Sequence, residues 1–295
     1  MRLEVRNLKK SYKTKDVLKD ISFNVESGFP MAFLGRNGAG KTTTIRAIME
    51  VIYKDGGEVL LDGQKFEPKK IKIGYLPEER GMYQKVGILD QLIYFGELKG
   101  YGKSASKKYA LELLEKVELL DYKNKKLETL SKGNQQKIQL VQTLIGEPDF
   151  IIMDEPFSGL DPVNAEMLKK LVLEARDNNK LMLFSSHQMG YVDEICSELT
   201  ILNNGEIAIT GNIDKIKRSH AENKYYIVPK HGSEELVKNS LINSGKTITE
   251  ENRKLVFEIN NTVEKQELVT KNLDNIDEFG EYKSSLGDIF IHYTR

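Results

Sequence analysis

Over roughly the first sixty residues apolar and polar positions alternate, with Leu3 and Val5, then Ile21, Phe23 and Val25, broken by turn residues. A period of two marks strands with one buried face, so this stretch predicts short antiparallel strands. Embedded in it is FPMAFLG, a continuous apolar run that ends at Gly35 and leads through GRNGAGKTT into TIRAIMEVI, apolar at helical spacing. The order is strand, glycine-rich turn, helix. From Leu89 to Leu119 the period is helical, clearest in LELLEKVELL, which predicts a helical insertion over about residues 80–140. A second apolar run, FIIMDEP, stops at two acids; a helix starts at Asp161 with Pro162 in its first turn, and LMLFSSH supplies a third buried strand. Buried strands alternating with helices imply a largely parallel sheet whose strand ends carry the chemistry.

After about residue 217 the character changes: KYYIVP, GSEELVKNSLINSG, KLVFEI and VEKQELVTKNL read as strand, helix, strand, helix. The chain therefore divides into a first domain over 1–217 and a small α+β accessory domain over 222–295. Charge adds an exclusion. Among 295 residues, 44 Lys and Arg balance 44 Asp and Glu, so no global field attracts nucleic acid or an anionic surface, and nucleic acid is not an expected partner. The single cysteine, Cys196, has no partner for a disulfide or a CxxC metal site, which fits a reducing compartment and a packing role. No apolar run approaches the roughly 18 to 20 residues of a membrane-crossing helix, and MRLEVRNLKK lacks an apolar signal core. Membrane contact would need a partner.

The segment Gly35–Thr42 has the spacing of a phosphate-binding loop. Across Gly35, Arg36, Asn37, Gly38, Ala39 and Gly40 the backbone N–H groups would turn inward around phosphate oxygens, with Thr43 following. Lys41 would neutralise the β- and γ-phosphates, and Thr42 would offer its hydroxyl to magnesium. A glycine-rich turn that merely caps a helix is the bland alternative; a chance match has odds of about 1% from average glycine usage. Such a site needs a second acid for magnesium and a group to activate water. Asp154 and Glu155 end a buried strand suitably, the first as metal ligand, the second as general base. By itself an acidic pair at a strand end is as often a helix cap. Ser131 and Gly133 open a helix whose N-terminal N–H groups favour an anion, although Ser131 alone reads as an ordinary N-cap.

LSKGNQQ, residues 130–136, resembles the ABC signature motif. The full order is similar to that of the ABC ATPase family: Tyr12, the phosphate loop, a loop at Gly74–Glu79, the signature, FIIMDEP, SGLD and SSH. The likeness covers about residues 1–217. It implies an α/β P-loop NTPase fold with an antiparallel β-subdomain and a helical insertion. It also implies ATP and magnesium as ligands, and a head-to-tail dimer with ATP between each phosphate loop and the opposite signature. On that reading Ser131, Gly133 and Asn134 serve the opposite site, and His187 contacts the γ-phosphate and the attacking water. Ser158 and Asp161 would link the two sites across the dimer axis, helix capping being an equally good role for Asp161. Tyr12 would stack on adenine. Two departures stand out. Glu78, with Glu79 beside it, occupies the position where glutamine usually touches magnesium, and Lys132 and Asn134 replace a usual glycine and glutamine.

GYLPEERGMYQKVGILDQL and the terminal SLGDIFIHYT resemble exporter ATPases of the sodium-efflux and drug or peptide-export type. That likeness implies a transmembrane permease as partner, gripped by Met82, Tyr83, Val86 and Leu89, though an amphipathic helix packing into a core reads equally well there. The second ATPase copy would be this chain or a paralogue, in the cytoplasm at the inner face of the cell membrane. Two other classes remain open: a non-transport ABC ATPase acting on ribosomes or DNA, and a regulatory ATP-binding module. The first usually carries tandem halves or long coiled coils, and only 90 residues separate Lys41 from Ser131.

Overall fold

The computed structural model describes residues 1–295 apart from Thr14, Arg80 and Asn252. They form two compact units, Met1–Ile213 with Phe290–Arg295, and Asp214–Ile289.

In the first unit β1 (Arg2–Tyr12) and β2 (Lys15–Glu26) pair as a long antiparallel hairpin. Leu3 and Val5 on one strand and Ile21, Phe23 and Val25 on the other are buried, as the period of two requires, and a register shift between Val5 and Leu8 keeps Leu8 on the same face. Next come β3 (Met31–Gly35) and α1 (Lys41–Ile48). The helix is shorter than the apolar run TIRAIMEVI. Met49 caps it, Glu50 turns left-handed at φ +55°, and Val51 is exposed, so the chain leaves the helix by the usual left-handed exit. Strands β4 (Gly56–Leu61) and β5 (Gln64–Lys65) complete a four-stranded sheet in the order β2-β1-β4-β5.

Strand β6 (Ile73–Leu76) precedes three helices, α2 (Ile88–Leu98), α3 (Lys103–Lys116) and α4 (Lys132–Leu144). The helical period read from Leu89 onwards is thus broken once, where Gly100 takes φ +90°. At that break Lys99 Nζ reaches across to the far end of α4, donating to the carbonyls of Gln142, Thr143 and Ile145 at 3.0–3.1 Å. It satisfies three acceptors that the last helical turn leaves open. Then follow β7 (Phe150–Asp154), α5 (Pro162–Asp177), β8 (Leu181–Ser185), α6 (Met189–Ile195), β9 (Glu198–Asn203) and β10 (Glu206–Asn212).

The central sheet runs β10-β9-β3-β8-β7-β6, parallel except for the β9–β10 hairpin. Every residue of β3, β7 and β8 is buried, which explains why they read as unbroken apolar runs rather than alternating ones. Gly74–Leu76, expected in a loop, is strand, because it pairs with β7 from Ile73↔Phe150 to Leu76↔Met153. Parallel pairing has one consequence that matters for chemistry: β3, β8, β7 and β6 all finish at the same edge.

In the second unit β11 (Lys224–Pro229), β12 (Thr249–Glu251), β13 (Lys254–Glu258) and β14 (Ile276–Glu281) form an antiparallel sheet in the order β12-β13-β11-β14. Helices α8 (Glu234–Asn243) and α9 (Thr262–Asn272) bury Val237, Leu241 and Leu268 against Ile227, Leu255 and Phe257 of that sheet. Helix α7 (Ile213–His220) leads into this unit, and Leu286–Thr294 form a terminal helix, α10. Among the described residues no helix is long and apolar enough to cross a membrane. Cys196 is buried, and burial pushes its thiol far up, consistent with packing.

Candidate nucleotide site

The glycine-rich turn leaves β3 and enters α1 through Gly40, which caps the helix at φ +112°. A β-carbon there would lie 2.7 Å from Leu18 Cδ2 and 3.1 Å from the Val17 carbonyl oxygen, so both backbone angle and space demand glycine. The β1–β2 hairpin is thereby packed directly on the loop. Lys41 Nζ is folded back over it and donates to the Gly35 carbonyl at 2.6 Å. Burial pushes the ammonium down, while the charges of Glu155, Asp154 and Glu78 hold it up, in that order of influence. Glu78, exposed just past the end of β6, is therefore within electrostatic reach of the phosphate lysine.

Strand order does the rest. Strand β8 lies between β3 and β7, so the residues that end it stand between the phosphate loop and the two acids. Asp154 is 2% exposed and both of its oxygens are engaged. Thr42 Oγ1 donates to Oδ2 at 3.2 Å, and Ser185 Oγ, itself fully buried, donates to Oδ1. Glu155 then leaves the strand with φ +51°, a left-handed turn that costs a non-glycine residue about 1 kcal/mol. Its N–H donates to the Ser185 carbonyl at 3.0 Å. Its Oε2 accepts from the His187 N–H at 3.1 Å, and its Oε1 faces His187 Nε2 at 3.3 Å. That Oε1 is buried without a hydrogen bond. Burial raises the Glu155 pKa above the ordinary carboxylate range, against the opposing pull of His187 and Lys41, as suits a base.

The turn carrying Glu155 is held from two sides. Gln136 Nε2 of α4 donates to the Pro156 carbonyl at 3.2 Å and Gln188 Nε2 to the Phe157 carbonyl at 3.3 Å. The Phe157 ring, 1% exposed, stacks on Tyr191 at 4.1 Å and tilts against Phe184 at 5.8 Å. No cluster of three His, Cys, Asp or Glu among the described residues could hold a metal ion by itself. Thr42 and Asp154 instead present two oxygens beside a phosphate loop, a donor set that fits magnesium taking further oxygens from a triphosphate.

Comparison with known proteins is decisive about the family. Residues 18–158 match the ABC transporter family model, and residues 211–294 match that of the DrrA1-3-like ATP-binding protein C-terminal domain. An uncharacterized ABC transporter ATP-binding protein of Alkalihalophilus pseudofirmus is 45% identical over 70% of this chain and 77% of its own length. The chain belongs to the ABC transporter ATP-binding proteins. The linearmycin resistance ATP-binding protein of Bacillus subtilis is 32% identical over 71% of this chain and 68% of its own. A solved ATP-binding subunit of an ABC transporter superposes with a TM-score of 0.69 at 29% identity, covering 75% of this chain and 93% of that one.

As a subunit of this family the chain binds ATP and works with a transmembrane partner. Not every residue singled out in the sequence gathers at the β3–β8–β7 edge. Ser131 caps α4, accepting from the Asn134 N–H at 3.3 Å. A β-carbon on Gly133 would meet Asn164 Nδ2 at 3.1 Å, and Asn164 in turn bonds the Asp161 carboxylate. Asp161 caps α5, accepting from the Asn164 N–H at 3.0 Å. Among the described residues no hydrogen bond or ion pair links Ser131, Gly133 or Asn134 to the phosphate loop of the same chain. Tyr12 lies at the tip of the hairpin that abuts Gly40, 48% exposed, with Lys10 Nζ 5.2 Å from its ring centre. Met82 is buried, whereas Tyr83 and Val86 are exposed, so the suggested partner groove loses Met82 to the core. Sequence reasoning missed Ser185, Gln136 and Gln188. For Ser185 a signal existed in SSH, where only the histidine was weighed.

Proposed function

We propose that this ABC transporter subunit hydrolyses ATP with magnesium in a head-to-tail dimer and drives an export permease at the cytoplasmic face of the membrane. The observation that carries the reading is the convergence of Lys41, Thr42, Asp154, Glu155 and His187 at one edge of the parallel sheet, with Glu155 Oε1 left unbonded and turned to His187. Magnesium, held by Thr42, Asp154 and Glu78, would supply charge neutralisation on the phosphates. Lys41 exchanges its bond to the Gly35 carbonyl for phosphate oxygens. Glu155 Oε1 takes the proton of the attacking water, and its raised pKa favours accepting it near neutral pH. His187 Nε2 steadies that water from the neighbouring strand end. Tyr12 stacks on the adenine ring.

The signature residues Ser131, Gly133 and Asn134 stand at the N-terminus of α4, and among the described residues no hydrogen bond or ion pair joins them to the phosphate loop of their own chain, which supports their completing the site of a second copy. Likeness to the lipopolysaccharide export system ATP-binding protein of Haemophilus influenzae, 28% identical over 76% of this chain and 96% of its own length, supports export. Glu155→Gln tests the scheme. Phosphate release should fall at least ~100-fold while ATP still binds, and an ATP-bound dimer should accumulate in sedimentation velocity. Turnover at the wild-type rate would remove Glu155 from its role.

A further inference from the structure

Between β6 and α4 lie buried polar side chains that nothing above explains, Ser106 and Gln91 among them. Gln91, in the first turn of α2, is 1% exposed. Its Oε1 accepts from the Tyr83 N–H at 3.2 Å, and its Nε2 donates to the carbonyls of Tyr83 at 3.4 Å and Val86 at 3.3 Å. The side-chain amide acts as a substitute peptide group, matching both the donor and the acceptor of Tyr83. An amide supplies both at once, an acceptor oxygen beside two N–H donors.

The loop it holds has two faces. Outward, Tyr83 is 53% exposed and stacked on Phe95, and Val86, Tyr94 and Leu98 are exposed beside it. Inward, its backbone pairs with the segment that runs into the signature. The Glu128 N–H donates to the Gln84 carbonyl at 2.9 Å and the Leu127 N–H to the Val86 carbonyl at 3.4 Å. Ile88 and Leu89 donate to the carbonyls of Lys125 and Lys123 at 3.0 and 2.9 Å. From Leu127 to Ser131 the chain is short and stiff: Leu127–Thr129 is a single 3₁₀ turn, and Gln135 Nε2 of α4 donates to the carbonyls of Leu127 at 3.3 Å and Leu130 at 3.1 Å. Two buried glutamine amides thus bracket a continuous run of backbone bonds between an exposed aromatic loop and the N-cap of α4.

We infer that Gln91 is a positioning residue, which sets the place of Ser131 by fixing the Tyr83–Val86 loop against residues 123–128, and so governs how well one chain completes another's nucleotide site. This rests on the head-to-tail reading above. Gln91 touches neither nucleotide nor metal, and acts through Ser131.

The full chain carrying Glu155→Gln is the parent for the test, with Gln91→Leu and Gln91→Glu added separately. Leucine keeps the volume but removes all three bonds to the loop, among them the acceptor for the Tyr83 N–H; glutamate keeps only that acceptor. Nucleotide affinity of the monomer is read with a fluorescent ATP analogue, and the dimer constant at saturating ATP by sedimentation. Monomer affinity should stay within about twofold of the parent. Dimerisation should weaken at least ~10-fold in Gln91→Leu, equivalent to ~1.4 kcal/mol, and by less in Gln91→Glu. An unchanged dimer constant in both variants overturns the inference, as does an equal loss of monomer affinity, which would mean a general structural role. Should Gln91→Leu fail to fold, Gln91→Glu carries the same comparison. A parent that does not dimerise with ATP defeats the head-to-tail reading itself, and the inference with it.

Discussion

Ser185→Ala isolates the hydrogen bond on which the orientation of Asp154 depends. In the structure Asp154 Oδ1 has Ser185 Oγ as its partner and Oδ2 has Thr42 Oγ1, with Ser185 fully buried and Asp154 2% exposed. Alanine removes a charge-assisted donor and admits no water by exposure, so a buried carboxylate oxygen is left unsatisfied. That loss should destabilise the first unit by about 1.5–3 kcal/mol. It should also loosen the carboxylate that would hold magnesium, and groups that orient metal ligands are worth roughly 10- to 100-fold in metal affinity. Two assays separate these effects: urea unfolding without nucleotide, and ATPase rate titrated with magnesium at saturating ATP. The variant should unfold at lower urea and require at least about tenfold more magnesium for half-maximal rate. Ser185→Thr, which restores a hydroxyl, should recover the magnesium dependence. An Ala variant with the wild-type magnesium midpoint would refute the claim that Ser185 orients Asp154.

Two further outcomes follow from other parts of the chain. Tyr12→Ala should weaken ATP binding by about 1–3 kcal/mol while Tyr12→Phe leaves it nearly unchanged, measured by calorimetry; equal affinities for all three would remove Tyr12 from the adenine site. Burial pushes the Lys99 amine down to about 8 from an ordinary 10.5, so between those values the unfolded chain holds more protons and stability contributed by this group rises with pH. In Lys99→Met that rise should vanish, and the wild type should gain on the variant by up to about 3 kcal/mol between pH 8 and 10.5, the three carbonyl acceptors keeping the gain below that ceiling. Parallel stability curves from urea unfolding at each pH would contradict it.

The phosphate loop was legible because its information is contiguous: Gly35 to Thr42 carry the turn, the charge and the hydroxyl within one stretch, bounded by a buried run and a helical period. Asp154 and Glu155 were legible for a similar reason, acids being conspicuous at the end of FIIMD. His187 was expected beside them only through the resemblance of SSH to the family, because its place follows from β8 inserting between β3 and β7, and strand order leaves no local mark in sequence. Ser185 illustrates the same limit, since a serine before a serine gains its role only from the carboxylate that the neighbouring strand brings to it. Strand β6 was misread as loop for another reason. Four residues, IGYL, with one glycine and burial alternating along them, lack the length and the unbroken apolarity that exposed β3, β7 and β8. Gln91 looked like an ordinary polar position on an amphipathic helix, and only the returning backbone of Tyr83 and Val86 explains its burial.

With Glu155 as the base proposed above, its left-handed backbone would set survival of heat against turnover. Glycine at that site would relax the main chain and discard a carboxylate that burial already makes unwelcome, so a laboratory selection screening only for thermal endurance would be drawn toward erasing the residue. The surviving lineages would be sturdier and inert, and any effort to toughen this protein must therefore score activity in every round.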